Sequence, residues 1–159
     1  LKTGMRGKLG LSFVLIRSAW GLLVATLVAG ALLPLGLLGE RGAALFGFVA
    51  LFGWLLTFLL GILQRIIPFL AGMNMSGGGV KPPRLSELAD ERWLTGHAVC
   101  HAAALLLVGG GILFDVGDAV RAGALAGVTG ALALAWFAFS VARSFRAYQR
   151  AAIGAKKAP

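Results

Sequence analysis

The sequence has few charged residues and a single cysteine. Only 13% of its 159 residues are Asp, Glu, Lys or Arg, whereas about a quarter is usual for a soluble domain. Because Cys100 is the one cysteine, this chain alone cannot form an internal disulfide, a four-cysteine zinc site or an iron–sulfur cluster. Hydrophobic residues make up 58% of the chain and concentrate in long runs. The composition therefore excludes a typical soluble domain and indicates an integral membrane protein.

Four apolar stretches are long enough to cross a bilayer. A helix that rises about 1.5 Å per residue needs about 20 residues to cross a hydrocarbon core about 30 Å thick. Helices are expected because a lipid-exposed segment must satisfy its own backbone groups, and nothing alternates with the period of a barrel strand. The sequence predicts an all-α integral membrane bundle of four transmembrane helices. The predicted spans are residues 18–38, 42–63, 94–114 and 119–141.

The spans form one predicted transmembrane domain, residues 18–141, between two basic ends. Residues 1–17 are a basic N-terminal segment, which either lies in the membrane interface or begins a longer first helix. Residues 142–159 are a basic tail. The long link between the second and third spans, which contains Arg84, and the polar start of the third helix, which contains Arg92, are expected to form a working surface for an acidic partner. The alternative is that the link only connects the spans and its charges meet lipid head groups.

The distribution of positive charge predicts the orientation of the bundle. All 15 lysines and arginines except Arg41 and Arg121 fall on the side of the two termini and the long link. Such an excess marks the cytoplasmic side. Both termini are therefore expected in the cytoplasm, and the chain is expected to cross a bacterial inner membrane four times. Nucleic acid is not expected as a partner, because the basic residues flank apolar segments and do not cover a folded soluble surface.

Small residues at four-residue spacing predict helix faces that pack closely in lipid. Such faces occur in the first, second and fourth spans. They are Gly21, Ala25 and Ala29; Gly53, Thr57 and Gly61; and Gly123, Gly127, Ala131 and Ala135. They predict a packed bundle that leaves a surface for other membrane subunits of a larger complex.

Polar residues gather near the predicted cytoplasmic end of the spans. His97 and His101 are four residues apart and so share one face of the third helix, while Gln64 and Arg65 end the second helix on the same side. Ionisable groups at membrane depth are candidate functional residues, because leaving them unpaired in hydrocarbon is costly. These four residues are therefore the candidate cofactor-binding residues, and the two histidines are also candidate metal ligands.

Several interpretations of the histidines stay open. Both could bind one metal ion if a further ligand is supplied. One could ligate a haem iron with Arg65 beside a propionate, or one could hydrogen-bond a quinone head group together with Arg65 or Gln64. The structural alternative is that neutral histidines bond neighbouring helices or interfacial water. The residues assign no catalytic group, so the sequence leaves open whether the chain is an enzyme.

Parts of the second and third spans resemble a known family. Residues 61–70 (GILQRIIPFL), 85–88 (LSEL) and 91–101 are similar to bacterial polytopic membrane proteins described as haem-copper oxidase subunit I-like, over roughly residues 42–101. The resemblance implies a component of respiratory electron transfer with further helices upstream of Leu1. That family has a histidine after the Pro-Phe-Leu element, where this chain has Asn74, so no haem ligand is implied there. The second hypothesis is a non-catalytic accessory or assembly subunit of a larger membrane complex.

Overall fold

The computed structural model describes residues 10–75 and 91–157, and within them the chain is helical, without strands. Each of four helices contains a segment that is long and apolar enough to cross a membrane. They are α1 (Leu11–Leu32), α2 (Gly42–Met75), α3 (Glu91–Phe114) and α4 (Gly117–Lys157). The predicted all-α bundle with four candidate transmembrane helices is thereby confirmed.

The helices form two antiparallel hairpins, which an ion pair between their turns joins at one end. Residues 33–41 connect α1 to α2, and residues 115–116 connect α3 to α4. Asp115 adopts a positive φ of 60° in the second turn. Its carboxylate forms an ion pair with Arg41 of the first turn. We call this end of the bundle the loop end.

The opposite end of the bundle is called the basic end. It contains the start of α1, the end of α2, the start of α3 and the end of α4. Most arginines of the described chain lie toward this end. They are Arg17, Arg65, Arg92, Arg143, Arg146 and Arg150. The unequal charge of the two ends follows the pattern from which the orientation was predicted.

The first helix lies closer to the N-terminus than the predicted span of residues 18–38. It begins at Leu11, so Arg17 lies inside the helix with an exposed side chain. The helix ends at Leu32, and residues 33–38 form turns in which Gly36 has a φ of 70°. Pro34 explains this early end, because a proline has no N–H with which to continue the helical hydrogen bonds.

The second and fourth helices are longer than their predicted spans. Helix α2 continues past residue 63 to Met75 although Pro68 lies within it, and α4 continues past residue 141 to Lys157. The two extensions support each other, because the Tyr148 hydroxyl on α4 donates a hydrogen bond to the backbone carbonyl of Met75. Both helices therefore extend together beyond the predicted hydrocarbon boundary at the basic end.

Glycines allow the closest helix contacts. A Cβ added at Gly61 would lie 2.8 Å from Cγ1 of Ile16, and one added at Gly123 would lie 2.9 Å from the backbone nitrogen of Val108. Glycine is therefore required where α2 meets α1 and where α4 meets α3. In lipid, this close packing stabilises helix association more than burial of apolar surface does.

The predicted small-residue faces are confirmed in one helix and only partly in the others. The face of α2 that contains Gly53, Thr57 and Gly61 is buried. On α1 the prediction was wrong for Gly21 and Ala25, which are exposed. Helix α1 buries a different face. That face also carries small residues, so residue size alone does not distinguish the two faces in the sequence. Its buried residues are Ser12, Leu15, Ala19 and Thr26.

The fourth helix also departs from its predicted small-residue face. Gly123 is buried, but Ala131 and Ala135 are exposed. Gly130 is buried in their place, because a seven-residue step from Gly123 returns to within about 20° of the same face, whereas each four-residue step moves about 40° away from it. Toward the basic end the helices enclose a small apolar core from α2, α3 and α4. Its members are Leu94, Phe137 and Val141, with Ile67, Ala71 and Leu134 packed against them.

Candidate cofactor site between α2, α3 and α4

His97 is buried in the bundle with one ring nitrogen bonded and the other unpartnered. Its side chain on α3 is among the least exposed polar groups, with a relative exposure of 3% for the residue. Its Nδ1 lies 2.9 Å from the backbone oxygen of Gly130 on α4. Because a carbonyl only accepts, Nδ1 carries a proton, and in the neutral imidazole Nε2 is then the nitrogen with the lone pair. That Nε2 is buried and has no hydrogen-bond partner among the described residues.

Gly130 allows α4 to approach α3 closely enough to orient His97. A Cβ at this position would lie 3.0 Å from Cβ of Cys100 and 3.4 Å from the backbone oxygen of His97. A larger residue would therefore have to displace α3. The absence of a side chain at Gly130 thus brings its carbonyl within reach of the imidazole. The ring orientation of His97 is set by helix packing as well as by its own rotamer.

His101 forms a hydrogen bond to a different helix. Its Nε2 lies 2.7 Å from Oγ1 of Thr57 on α2, and both residues are buried. The Thr57 hydroxyl also lies within hydrogen-bond distance of the backbone oxygen of Phe52, at 3.3 Å. His101 therefore ties α3 to α2. This arrangement agrees with the structural alternative considered for the histidines.

A π-helical segment precedes Thr57 and sets its position. Residues Val49–Leu56 of α2 have π-helical geometry, and the hydroxyl of Thr57 bonds the carbonyl five residues earlier. Such segments are rare and frequently occur at functional sites. The π-helical segment was not predicted from the sequence. Thr57 was predicted only as a member of the small-residue face of α2.

Gln64 is the second buried residue with unpartnered polar atoms. Its relative exposure is 4%. Neither its Nε2 nor its Oε1 has a hydrogen-bond partner among the described residues. The backbone near it is also irregular, because Pro68 has no N–H to donate to the carbonyl of Gln64 four residues before it. A primary amide buried without partners is costly, so this position needs a physical explanation.

Helix geometry gives the approximate depths of Gln64 on α2 and His97 on α3. Thr57 and His101 are in contact, and Gln64 lies seven residues beyond Thr57 on the same face of α2. Gln64 is therefore about 10 Å nearer the basic end than Thr57, while His97 is about 6 Å nearer than His101. The two residues therefore differ in depth by about 4 Å along the bundle.

Arg65 is not part of this buried group. Its side chain is exposed, because one residue along an α-helix turns the side chain by about 100° from that of Gln64. Asn74 is exposed as well, and its Nδ2 donates to the backbone oxygen of Leu70 at 2.9 Å. The structure thus buries three of the four candidate residues, His97, His101 and Gln64, and brings the two histidines into ring contact. Arg84 lies outside the described residues.

The two histidines stack, but they bond in different directions. Their ring centroids are 5.9 Å apart with an interplanar angle of 19°. His97 bonds α4 and His101 bonds α2, so the free nitrogen of His97 is the clearest ligand atom of the pair. Within the described residues no group of three or more His, Cys, Asp or Glu side chains could hold a metal ion. Joint metal ligation by the histidines therefore needs a further donor and stays a prediction.

A cleft at the loop end has fewer polar groups available to bind a ligand. It has a volume of about 350 Å³. Its lining residues are Leu38, Gly39, Glu40, Arg41, Leu45 and Leu113. The one cation in this lining is already paired with Asp115, which leaves Glu40 as the charged group available to a ligand. The buried His97 and Gln64 are therefore the stronger candidate site.

Comparison with known proteins assigns no family. No known protein family, curated protein or solved structure matched the chain. The haem-copper oxidase-like resemblance of α2 and α3 therefore stays a prediction, and a functional proposal has to rest mainly on the geometry of His97 and Gln64.

Proposed function

We propose that the chain is an integral membrane component of bacterial respiratory electron transfer in which His97 contacts a redox cofactor, a haem or a quinone. The observation that carries the proposal is the buried Nε2 of His97, which has no hydrogen-bond partner in the described part of the chain, with Nδ1 fixed by the carbonyl of Gly130. Histidines that ligate metals commonly donate their other ring N–H to a backbone carbonyl, which fixes the tautomer and raises the basicity of the ligand nitrogen.

His97 offers a ligand nitrogen for a haem. Its Nε2 would hold the iron, whereas Nε2 of His101 already bonds Thr57. A bound haem would supply one-electron redox chemistry. The residues of this chain orient the ligand nitrogen, and the burial of His97 shields it from bulk solvent.

A quinone head group would use Gln64 as well as His97. The amide Nε2 of Gln64 would donate to a quinone oxygen, whereas the lone pair on His97 Nε2 would accept from a quinol hydroxyl. One oxygen atom between the two helices could therefore satisfy both residues. The same pairing also suits a buried water molecule, so binding of a quinone has to be measured directly.

The proposed orientation places this site near the cytoplasmic face of the inner membrane. Arg17, Arg65 and Arg143 are exposed toward the basic end, and an excess of such residues stays in the cytoplasm. Gln64 and His97 lie nearer to that end than Thr57 and His101 do. The cofactor would therefore exchange electrons or protons on the cytoplasmic side.

An absorption spectrum of the purified protein tests the proposal. We expect a Soret band in the wild type that is lost in His97→Ala, restored by added imidazole, and retained in His101→Ala. If the protein is colourless, co-extracted quinone should be detectable by chromatography and reduced in His97→Ala. Asn74→Ala, an exposed substitution outside the site, is the control. A protein that carries neither haem nor quinone would refute the proposal.

A second candidate function is supported by the outward face of α1. Gly21 and Ala25 are exposed, and a Cβ added at Gly21 would have no heavy atom of the described residues within 4 Å. Small residues on a lipid-facing surface permit close approach of a further helix. The second candidate is therefore an accessory or assembly subunit of a larger membrane complex. A colourless protein that purifies only together with other chains would favour it.

A further inference from the structure

The extension of α4 carries a row of arginines on one side. Arg143, Arg146 and Arg150 are exposed, and α4 continues as one helix through all three. At about 100° per residue, their directions fall within about 60° of one another. The three guanidinium groups therefore form a single cationic face, here called the arginine row.

The opposite side of the extension packs against the bundle. Val141 is buried in the apolar core, and Tyr148 bonds the end of α2 through the carbonyl of Met75. Both residues lie roughly opposite the arginine row by the same helical rotation. The arginine row therefore faces away from the other helices of this chain.

Aromatic residues lie directly below the arginine row on the same side. Trp136 and Phe139 are exposed, and their ring centroids are 5.9 Å apart. Trp93 of α3 extends the patch, with its ring centroid 5.8 Å from that of Trp136. Tryptophan is enriched at the level of lipid head groups, where one side of the ring is apolar and the N–H is polar. The patch therefore indicates the membrane boundary.

The arginine side chains can reach that boundary. Helical side chains lean toward the N-terminus of their helix, which at this end of α4 is toward the aromatic patch. Arg150 starts about 13 Å beyond Val141, and its long side chain reaches back toward the head groups. The ion pairs found among the described residues lie at the loop end, so these arginines are not neutralised by a described carboxylate.

We propose that this surface is a binding site for an anionic phospholipid. The phosphate accepts hydrogen bonds from the arginine row, and the acyl chains lie against Trp136 and Phe139. Arginine suits this role because its planar guanidinium can bind phosphate oxygens in a bidentate manner. The proposal is independent of any cofactor at His97.

Fluorescence quenching in nanodiscs tests the lipid site. A variant with Trp20, Trp54 and Trp93 replaced by Phe leaves Trp136 as the reporter. We expect brominated phosphatidylglycerol to quench Trp136 more strongly than brominated phosphatidylcholine at the same mole fraction. Each basic residue near an anionic surface contributes about 1 kcal/mol, or about five-fold. Replacing the arginine row with Gln should therefore reduce the preference by at least about five-fold.

Controls separate a lipid site from other anion sites. Arg121→Gln, which removes an exposed arginine at the loop end, should leave the preference unchanged. Equal quenching by the two lipids, or a preference that survives loss of the arginine row, would overturn the proposal. So would displacement of the brominated lipid by inorganic phosphate alone. Binding of polyglutamate without lipid preference would assign the surface to an acidic protein and also overturn it.

Discussion

Replacing Thr57 with Val removes the hydrogen bond that joins α2 to α3 at the candidate site while keeping a side chain of similar shape. The lost contact is the 2.7 Å bond between Thr57 Oγ1 and His101 Nε2. Both residues are buried, so water cannot easily replace the hydroxyl. Hydrogen bonds between membrane helices contribute about 0.6 kcal/mol on average and up to about 1.7 kcal/mol. A buried group left unsatisfied costs about 1–3 kcal/mol.

The two ranges overlap near about 1.5 kcal/mol. We therefore expect Thr57→Val to lower the free energy of unfolding by about 1.5 kcal/mol, which is about a tenfold change in the unfolding equilibrium. Steric trapping of the protein in bicelles measures this quantity directly. A double-mutant cycle with His101→Ala should show that most of the loss depends on the histidine.

Thr129→Val provides a matched control for this substitution. Thr129 is exposed on α4, and its hydroxyl bonds only the carbonyl of Leu125 in its own helix, at 2.9 Å. Its replacement should change the free energy of unfolding by less than about 0.5 kcal/mol. Equal effects of the two substitutions would refute the argument that Thr57 stabilises the bundle through His101. An additive double-mutant cycle would refute it as well.

The four membrane-spanning helices could be predicted from the sequence, but several helix bounds could not. Hydropathy identifies an apolar segment, but it does not show how far a helix continues beyond that segment when a neighbouring helix packs against it. The extension of α4 illustrates this limit, because Tyr148 bonds the carbonyl of Met75, which lies 73 residues earlier in the chain. The early end of α1 could have been predicted, since Pro34 is visible in the sequence and interrupts helical hydrogen bonding.

Part of the candidate site could be predicted, because the spacing of residues along one helix is visible in the sequence. His97 and His101 share a face of α3, as their spacing predicts, and both are buried. Their partners, Gly130 and Thr57, lie in other helices and belong to residue types that are common throughout the apolar runs. Only the packing of three helices shows that Nε2 of His101 bonds Thr57 while Nε2 of His97 has no partner among the described residues.

Helix packing and the end of α4 provide two further tests. Gly123→Ala should destabilise the bundle by about 1–3 kcal/mol in the same trapping assay, because its Cβ would lie 2.9 Å from the backbone nitrogen of Val108. Gly127→Ala should not destabilise the bundle, since a Cβ at this position would lie 3.6 Å from its nearest neighbour, Cβ of Ala104. Tyr148→Phe removes the hydrogen bond to Met75 and should speed amide hydrogen exchange in the last turns of α4 while the transmembrane part stays protected. Because the ring stays, unchanged exchange would show that apolar packing alone holds this extension against α2.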